Sequence, residues 1–172
     1  MNVLEGMARA MPLVPREKTA CFSGHRIIAP DQKARVVAAL RAAVDLLIAE
    51  GFMRFICGGA LGFDTLAAQA VLTAREKNPD VCLCLALPYK GQEGAWPQAD
   101  KVVYAKIMAA ADEVHYTSEA YDKACMHVRN RYMVDHSSVL VTYCNRASGG
   151  TVYTIGYAAA QNVRRVHLYG KE

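Results

Sequence analysis

Phe52-Met53-Arg54-Phe55-Ile56-Cys57-Gly58-Gly59-Ala60-Leu61-Gly62-Phe63-Asp64 is the stretch that decides the fold. A short apolar run, residues 52–57, feeds two adjacent glycines. A third glycine follows three positions on, and a helical pattern opens over residues 62–77 with Leu66, Ala70 and Val71 on one face. Glycine lets the backbone turn tightly and lets a ligand reach main-chain N–H groups. The first turn of the helix that follows offers unpaired N–H donors and a partial positive charge, which suits a phosphate. Gly58, Gly59 and Ala60 are therefore candidates for backbone contact with a ligand, and Gly62 for close packing at the helix start. Asp64 falls in the first helical turn. It is either a carboxylate stabilising that turn or an acceptor for a ribose hydroxyl.

The same strand–glycine–helix pattern occurs twice more. Residues 19–22 run into Ser23-Gly24-His25-Arg26, and residues 138–144 lead to Ser148-Gly149-Gly150-Thr151. If the strands are parallel, all three turns emerge on one edge of one sheet, the edge where open α/β sheets bind ligands. The rest of the chain agrees. Helical patterns at 30–50, 101–111, 122–135 and 151–161 alternate with apolar runs at 81–87, 113–116 and 165–169. Helices of that length between short strands mean right-handed parallel crossovers, hence an α/β, three-layer Rossmann-like sandwich with a mostly parallel sheet. Residues 1–17 read as a disordered leader and 18–172 as a single domain.

Each turn offers chemistry. Arg26 can hold a phosphate bidentately, with Ser23 and Gly24 beside it. His25 belongs to the same candidate ligand-binding turn, and its ring is read as making a structural hydrogen bond in preference to acting as a general acid. Thr151 can cap the last helix while Ser148, Gly149 and Gly150 form an anion nest, and the paired glycines favour phosphate over a plain cap. Pro88 opens a loop, residues 88–97, on the same edge. There Tyr89 or Trp96 either stacks on a base or packs the loop down. Arg129 points into the crevice or belongs to a solvated face, and Arg131 with Asp135 is spaced as an i,i+4 pair.

The standard dinucleotide fingerprint is absent, because the first strand ends in Ser-Gly-His-Arg. No G-x-x-x-x-G-K-[ST] occurs, which disfavours an NTP hydrolase. At 172 residues, 53% hydrophobic and 21% charged, the composition is that of one globular domain. A net charge of +4 is too mild for a dedicated DNA-binding surface. No apolar run approaches the ~20 residues that cross a bilayer. Five of the six cysteines lie in strand-like runs, with no C-x-x-C, so reduced thiols in a cytoplasm are expected, without a metal site or disulfide framework.

Taken together, S-G-H-R, C-G-G-A-L-G-F-D, L-P-Y, R-N-x-Y-M-V-D and S-G-G-T resemble the YpsA-like family of the SLOG superfamily, which also holds the LOG phosphoribohydrolases and the Smf/DprA proteins. The resemblance spans residues 18–170. It implies a Rossmann-like fold and a site for a nucleotide or nucleotide-derived molecule, such as a nucleoside monophosphate or an ADP-ribose- or NAD-related ligand. LOG-type enzymes carry a glutamate shortly after the glycine–threonine turn and use it to cleave the N-glycosidic bond. Here Gly149-Gly150-Thr151 is followed by Val152-Tyr153-Thr154, and no carboxylate appears until Glu172. An oxocarbenium-like transition state wants a nearby carboxylate. The expectation is accordingly a binding or sensing module, with a protein partner or a homo-oligomer as its output, no membrane and little role for nucleic acid. The rivals are a LOG-type hydrolase with a carboxylate relocated to Asp64, Glu93 or Asp135, and single-stranded DNA binding as in Smf/DprA.

Overall fold

A computed structural model describes residues 14–168. Residues 1–13 of the expected leader, and the end of the last expected strand, lie outside the described residues. The elements in chain order are β1 (Thr19–Gly24), α1 (Pro30–Ala49), β2 (Arg54–Cys57), α2 (Phe63–Arg75), β3 (Cys82–Leu87), α3 (Gln98–Ala110), β4 (Glu113–Tyr116), α4 (Cys125–Asp135), β5 (Val139–Tyr143), α5 (Gly150–Ala160) and β6 (Arg164–His167). A 3₁₀ turn, Arg16–Lys18, precedes β1, and its start at Pro15 is held by the Lys18 N–H and the Thr19 hydroxyl.

The strands form one six-stranded sheet in the order β4-β3-β2-β1-β5-β6, and every pair is parallel. The expected three-layer α/β sandwich is what forms. Strand alternation builds its two cores, because successive side chains point to opposite faces. Ala20 and Phe22 of β1 join α1 and α2 in the larger core, whereas Cys21 joins Met133 and Val134 of α4 in the smaller one. α1 buries Val36, Leu40, Ala43, Val44 and Leu47, one stripe at helical spacing.

Two helix starts lie three residues from where the sequence reading puts them, for local reasons. α4 begins at Cys125, because the Asp122 carboxylate accepts the Ala124 N–H at 2.6 Å and holds a turn ahead of the helix. α3 begins earlier, at Gln98, directly after Pro97, whose carbonyl accepts the Lys101 N–H.

The order of strands fixes where a ligand can sit. From β1 the chain builds outward through β2, β3 and β4, then returns to lay β5 on the other side of β1. The crossovers on the two sides of β1 diverge. A crevice opens between the carboxyl ends of β1 and β5, the topological switch point of the sheet.

Candidate functional site

A cleft of about 360 Å³ occupies that switch point. The β1 end supplies Ser23, Gly24, His25, Arg26 and Ile27. The β5–α5 loop supplies Arg146, Ser148, Gly149, Gly150 and Thr151, while α4 adds Met126, Arg129, Asn130 and Met133. From the β2–α2 segment only Ala60 and Asp64 reach the wall. Gly58, Gly59 and Pro88 do not line it, and Gly62 lines a separate cleft with Arg26, Lys33 and Asp100.

The reason is steric. A Cβ on Gly58 would collide with the Arg129 guanidinium and sit 2.7 Å from Asp64 Oδ2. A Cβ on Gly59 would strike Leu87. At Gly62 the backbone has φ +74°, and a side chain would run into the Arg26 and His25 carbonyls. These glycines make room for the protein's own groups. Gly149 and Gly150 are the opposite case: beyond their chain neighbours and the backbone of α5, no heavy atom of the described residues lies within 4 Å of the added Cβ.

Arg129 is buried on α4 and spans the site. Its Nη1 donates to the Gly58 carbonyl and lies 3.8 Å from Asp64 Oδ2, and its Nε donates to Asn130 Oδ1 at 2.7 Å. Asp64 Oδ2 also accepts the Ala60 N–H at 3.2 Å. Burial lifts the Asp64 carboxyl above its ordinary value, opposed by the Arg129 charge, the Ala60 N–H and Arg26. The arginine is thus an internal strut as well as part of the wall, and no solvated face. Arg131 and Asp135 form no ion pair among the described residues, and Asp135 Oδ1 accepts the Tyr157 hydroxyl at 2.9 Å.

His25 ties the cleft together. Its Nε2 accepts the Asn145 N–H at 2.9 Å, its carbonyl accepts the Phe63 N–H at 3.0 Å, and its ring meets Tyr143 edge-on at 5.6 Å. An Nε2 that accepts belongs to a neutral imidazole carrying its proton on Nδ1. Burial lowers the pKa of the ring, and the Arg146 charge pushes the same way. The structural role read for His25 is the one its geometry gives.

α5 starts without a side-chain cap, and Gly149 occupies the N-cap position at φ +115°. Thr151 lies inside the helix, so the hydroxyl cap read from the sequence does not form. The first intrahelical bond runs from the Tyr153 N–H to the Gly149 carbonyl. The N–H groups of the preceding turn are helix orphans in need of an acceptor. They lie in the loop that, with Arg26 and Arg146, frames the cleft. Arg26 is exposed, its Nη2 resting 3.7 Å from Met126 Sδ. Arg146 escaped the sequence reading, although its place two residues before Ser148 in a loop leaving β5 was the available signal. Tyr89 packs edge-on against Tyr121 and Trp96 against Tyr104, so both rings hold their loop down.

Comparison with known proteins places the chain in a family and matches its fold. The model of the YspA SLOG family (YpsA) matches residues 29–170. The chain belongs to that family. The SPbeta prophage-derived protein YoqJ of Bacillus subtilis (strain 168) is 32% identical over 126 residues, 66% of this chain and 74% of its own length. The UPF0398 protein YpsA of the same strain is 29% identical over 112 residues, covering 63% of this chain and 62% of that protein. Among solved structures, DNA processing protein A of Helicobacter pylori, determined for its single-stranded DNA binding mode, superposes with a TM-score of 0.62 at 18% identity, covering 89% of this chain and 66% of that one. DNA processing protein A of Streptococcus pneumoniae gives 0.63 at 18%, with 89% of this chain and 50% of that one covered. At 18% identity these two likenesses speak of the fold alone. They agree with the SLOG family's Rossmann-like sheet.

Proposed function

We propose that the cleft binds a nucleotide or nucleotide-derived ligand and that the protein acts as a binding or sensing module in a bacterial cytoplasm. The observation that carries this is the uncapped start of α5, which opens beside Arg26 and Arg146 with free space at Gly149 and Gly150. Orphan N–H groups, a helix N-terminus and guanidinium groups together form an anion site. A volume of about 360 Å³ falls in the usual range of small-molecule sites. In this reading Gly149, Gly150 and Thr151 meet the phosphate through backbone and hydroxyl, and Ser23, Gly24, Arg26 and Ser148 close around it. Ala60, Asp64 and Arg129 face the sugar. None of the six cysteines forms a disulfide, which accords with a reducing compartment.

Binding is favoured over LOG-type hydrolysis. Asp64 is the carboxylate in the cleft wall, and it is already engaged by Ala60 and Arg129. Asp135 is taken up by Tyr157, and Glu93 lines a different cavity beside α3. A second reading, single-stranded nucleic acid, draws support from the open, arginine-framed mouth of the cleft, since phosphate is common to both ligands.

A thermal-shift panel of AMP, NMN, NAD and ADP-ribose tests the proposal. A true ligand at about a hundred times its dissociation constant adds ~2.7 kcal/mol, and Arg26→Ala and Arg146→Ala should abolish the shift. No shift with any of them, and a gel shift of single-stranded DNA that weakens steeply with salt, would hand the site to nucleic acid. Base released from AMP or NMN, and lost in Asp64→Asn, would establish the hydrolase instead.

A further inference from the structure

On the edge of the sheet opposite the cleft, the first residues of three adjacent strands bring sulfur and carboxylate together. Arg54 opens β2, Cys82 opens β3 and Glu113 opens β4. The parallel register sets Arg54 beside Cys82 and Glu113 beside Cys84. Both cysteines therefore face the smaller core, and Glu113 reaches toward them from the edge strand.

The spacing is that of metal ligands. Cys82 Sγ and Cys84 Sγ are 3.6 Å apart, and Cys82 Sγ lies 4.0 Å from Glu113 Oε1. All three ligand atoms lie within 4.8 Å of one another. Zinc takes thiolate sulfur at about 2.3 Å and carboxylate oxygen at about 2.1 Å, so a tetrahedral ion holds two sulfurs about 3.8 Å apart and a sulfur and an oxygen about 3.6 Å apart. The two spacings that involve Cys82 need to move only by tenths of an ångström, and Cys84 Sγ and the Glu113 carboxylate start within 4.8 Å of each other. We propose that Cys82, Cys84 and Glu113 form a zinc-binding site, with water in the fourth position.

Access and charge fit the proposal. The cysteines are buried, but the Glu113 side chain is 41% exposed and gives the ion its way in from solvent. Arg54 Nη2 sits 2.6 Å from Glu113 Oε2, which occupies one carboxylate oxygen and leaves Oε1 toward the sulfurs. Arg54 thereby orients the ligating carboxylate, the arrangement that outer-sphere partners of metal sites adopt. Zinc binds thiolates, so each cysteine gives up one proton to solvent as the ion enters. A soft ligand pair with one carboxylate suits zinc over magnesium or calcium, which take oxygen alone. The bound ion would tie edge strand β4 to β3. Because the site lies on the other rim from the cleft, it stands or falls apart from nucleotide binding.

The test uses the full chain, reduced and stripped of metal by a chelator. Zinc is titrated against a chromophoric chelator, and cobalt(II) is added in parallel to report geometry. One zinc per chain is expected, with the intense visible bands of tetrahedral thiolate-bound cobalt. The double variant Cys82→Ser/Cys84→Ser should lose both signals. Glu113→Gln should bind zinc about tenfold or more weaker, and Cys144→Ser should behave as wild type. Unchanged zinc binding in the double serine variant, or a wild-type chain that takes up no zinc, overturns the site. Should the variants misfold by circular dichroism, the wild-type cobalt spectrum decides alone: weak bands of octahedral, oxygen-bound cobalt reject the proposal.

Discussion

Two turns of this protein share the same wording and do opposite work. Gly58-Gly59 after β2 and Gly149-Gly150 after β5 are both paired glycines between a parallel strand and a helix. The first pair is filled from within, by Arg129, Asp64 and Leu87; the second pair faces open space at the cleft. A glycine pair therefore marks where a backbone must be approached closely, but not by what. At β2 the approaching group is a buried arginine from α4. At β5 no group of the described residues outside the turn and its helix lies within 4 Å of either added Cβ, and an anion is the occupant we propose.

This contrast can be broken by substitution, and the largest effect belongs to the filled turn. Arg129→Ala leaves Asp64 buried without its cation and the Gly58 carbonyl without its donor. Breaking such a pair costs about 3–5 kcal/mol, to be read as a drop in the urea midpoint; a change close to zero would mean that the strut bears nothing. Gly58→Ala comes next, because the new methyl must displace a guanidinium and a carboxylate in a packed turn. Overpacking of this kind costs about 1–3 kcal/mol, and full stability in that variant would show that the turn is looser than it looks.

Gly150→Ala should behave differently. Its backbone is helical and its Cβ position is open, so stability should hold or rise by about 0.4–1 kcal/mol. Nucleotide-induced thermal shifts should nevertheless shrink, since the methyl enters the space proposed for phosphate. Equal nucleotide shifts in Gly150→Ala and wild type would detach the open turn from binding.

The smallest effect is one of pH and sharpens how the turns are joined. The folded state holds His25 below its ordinary pKa of 6.5, so between that value and the folded one the unfolded chain binds more protons. Stability is therefore complete above pH 6.5 and is lost as pH falls through the lower folded value. Urea midpoints on either side of pH 6.5 should fall more in wild type than in His25→Gln. The variant keeps the raised Asp64 pKa, whose contribution has the opposite sign, and so cancels it in the comparison. Parallel falls in the two proteins would remove His25 from the account.

The sheet was legible because its signals are local and repeated. The apolar run at 81–87 contains β3, and all six residues of that strand are buried; α1 carries its stripe at helical spacing. The site was legible only in part. That Gly149 and Gly150 lie on the ligand edge follows from the strand-to-helix pattern, which any parallel sheet places at its carboxyl ends. That Gly58 is filled by Arg129 depends on a contact across 71 residues, and no local pattern encodes it. Arg146 and Asn130 are not among the site candidates read from the sequence, for a similar reason. One lies in an irregular loop, and the other matters because its side chain orients a neighbour.

His25 holds three elements at one point: the start of α2 through its carbonyl, the loop after β5 through Nε2, and Tyr143 through an edge-on ring contact. The mouth between the two central strands is thus stitched shut at its root while its rim stays open. A guest arriving there finds a mould already cast. Little ordering would accompany its capture, and rigid sites of that kind lose less entropy on binding than loops that must fold around their cargo. Amide exchange near Asn145 and Phe63 should accordingly be slow with the cleft empty, and should slow no further once it is filled.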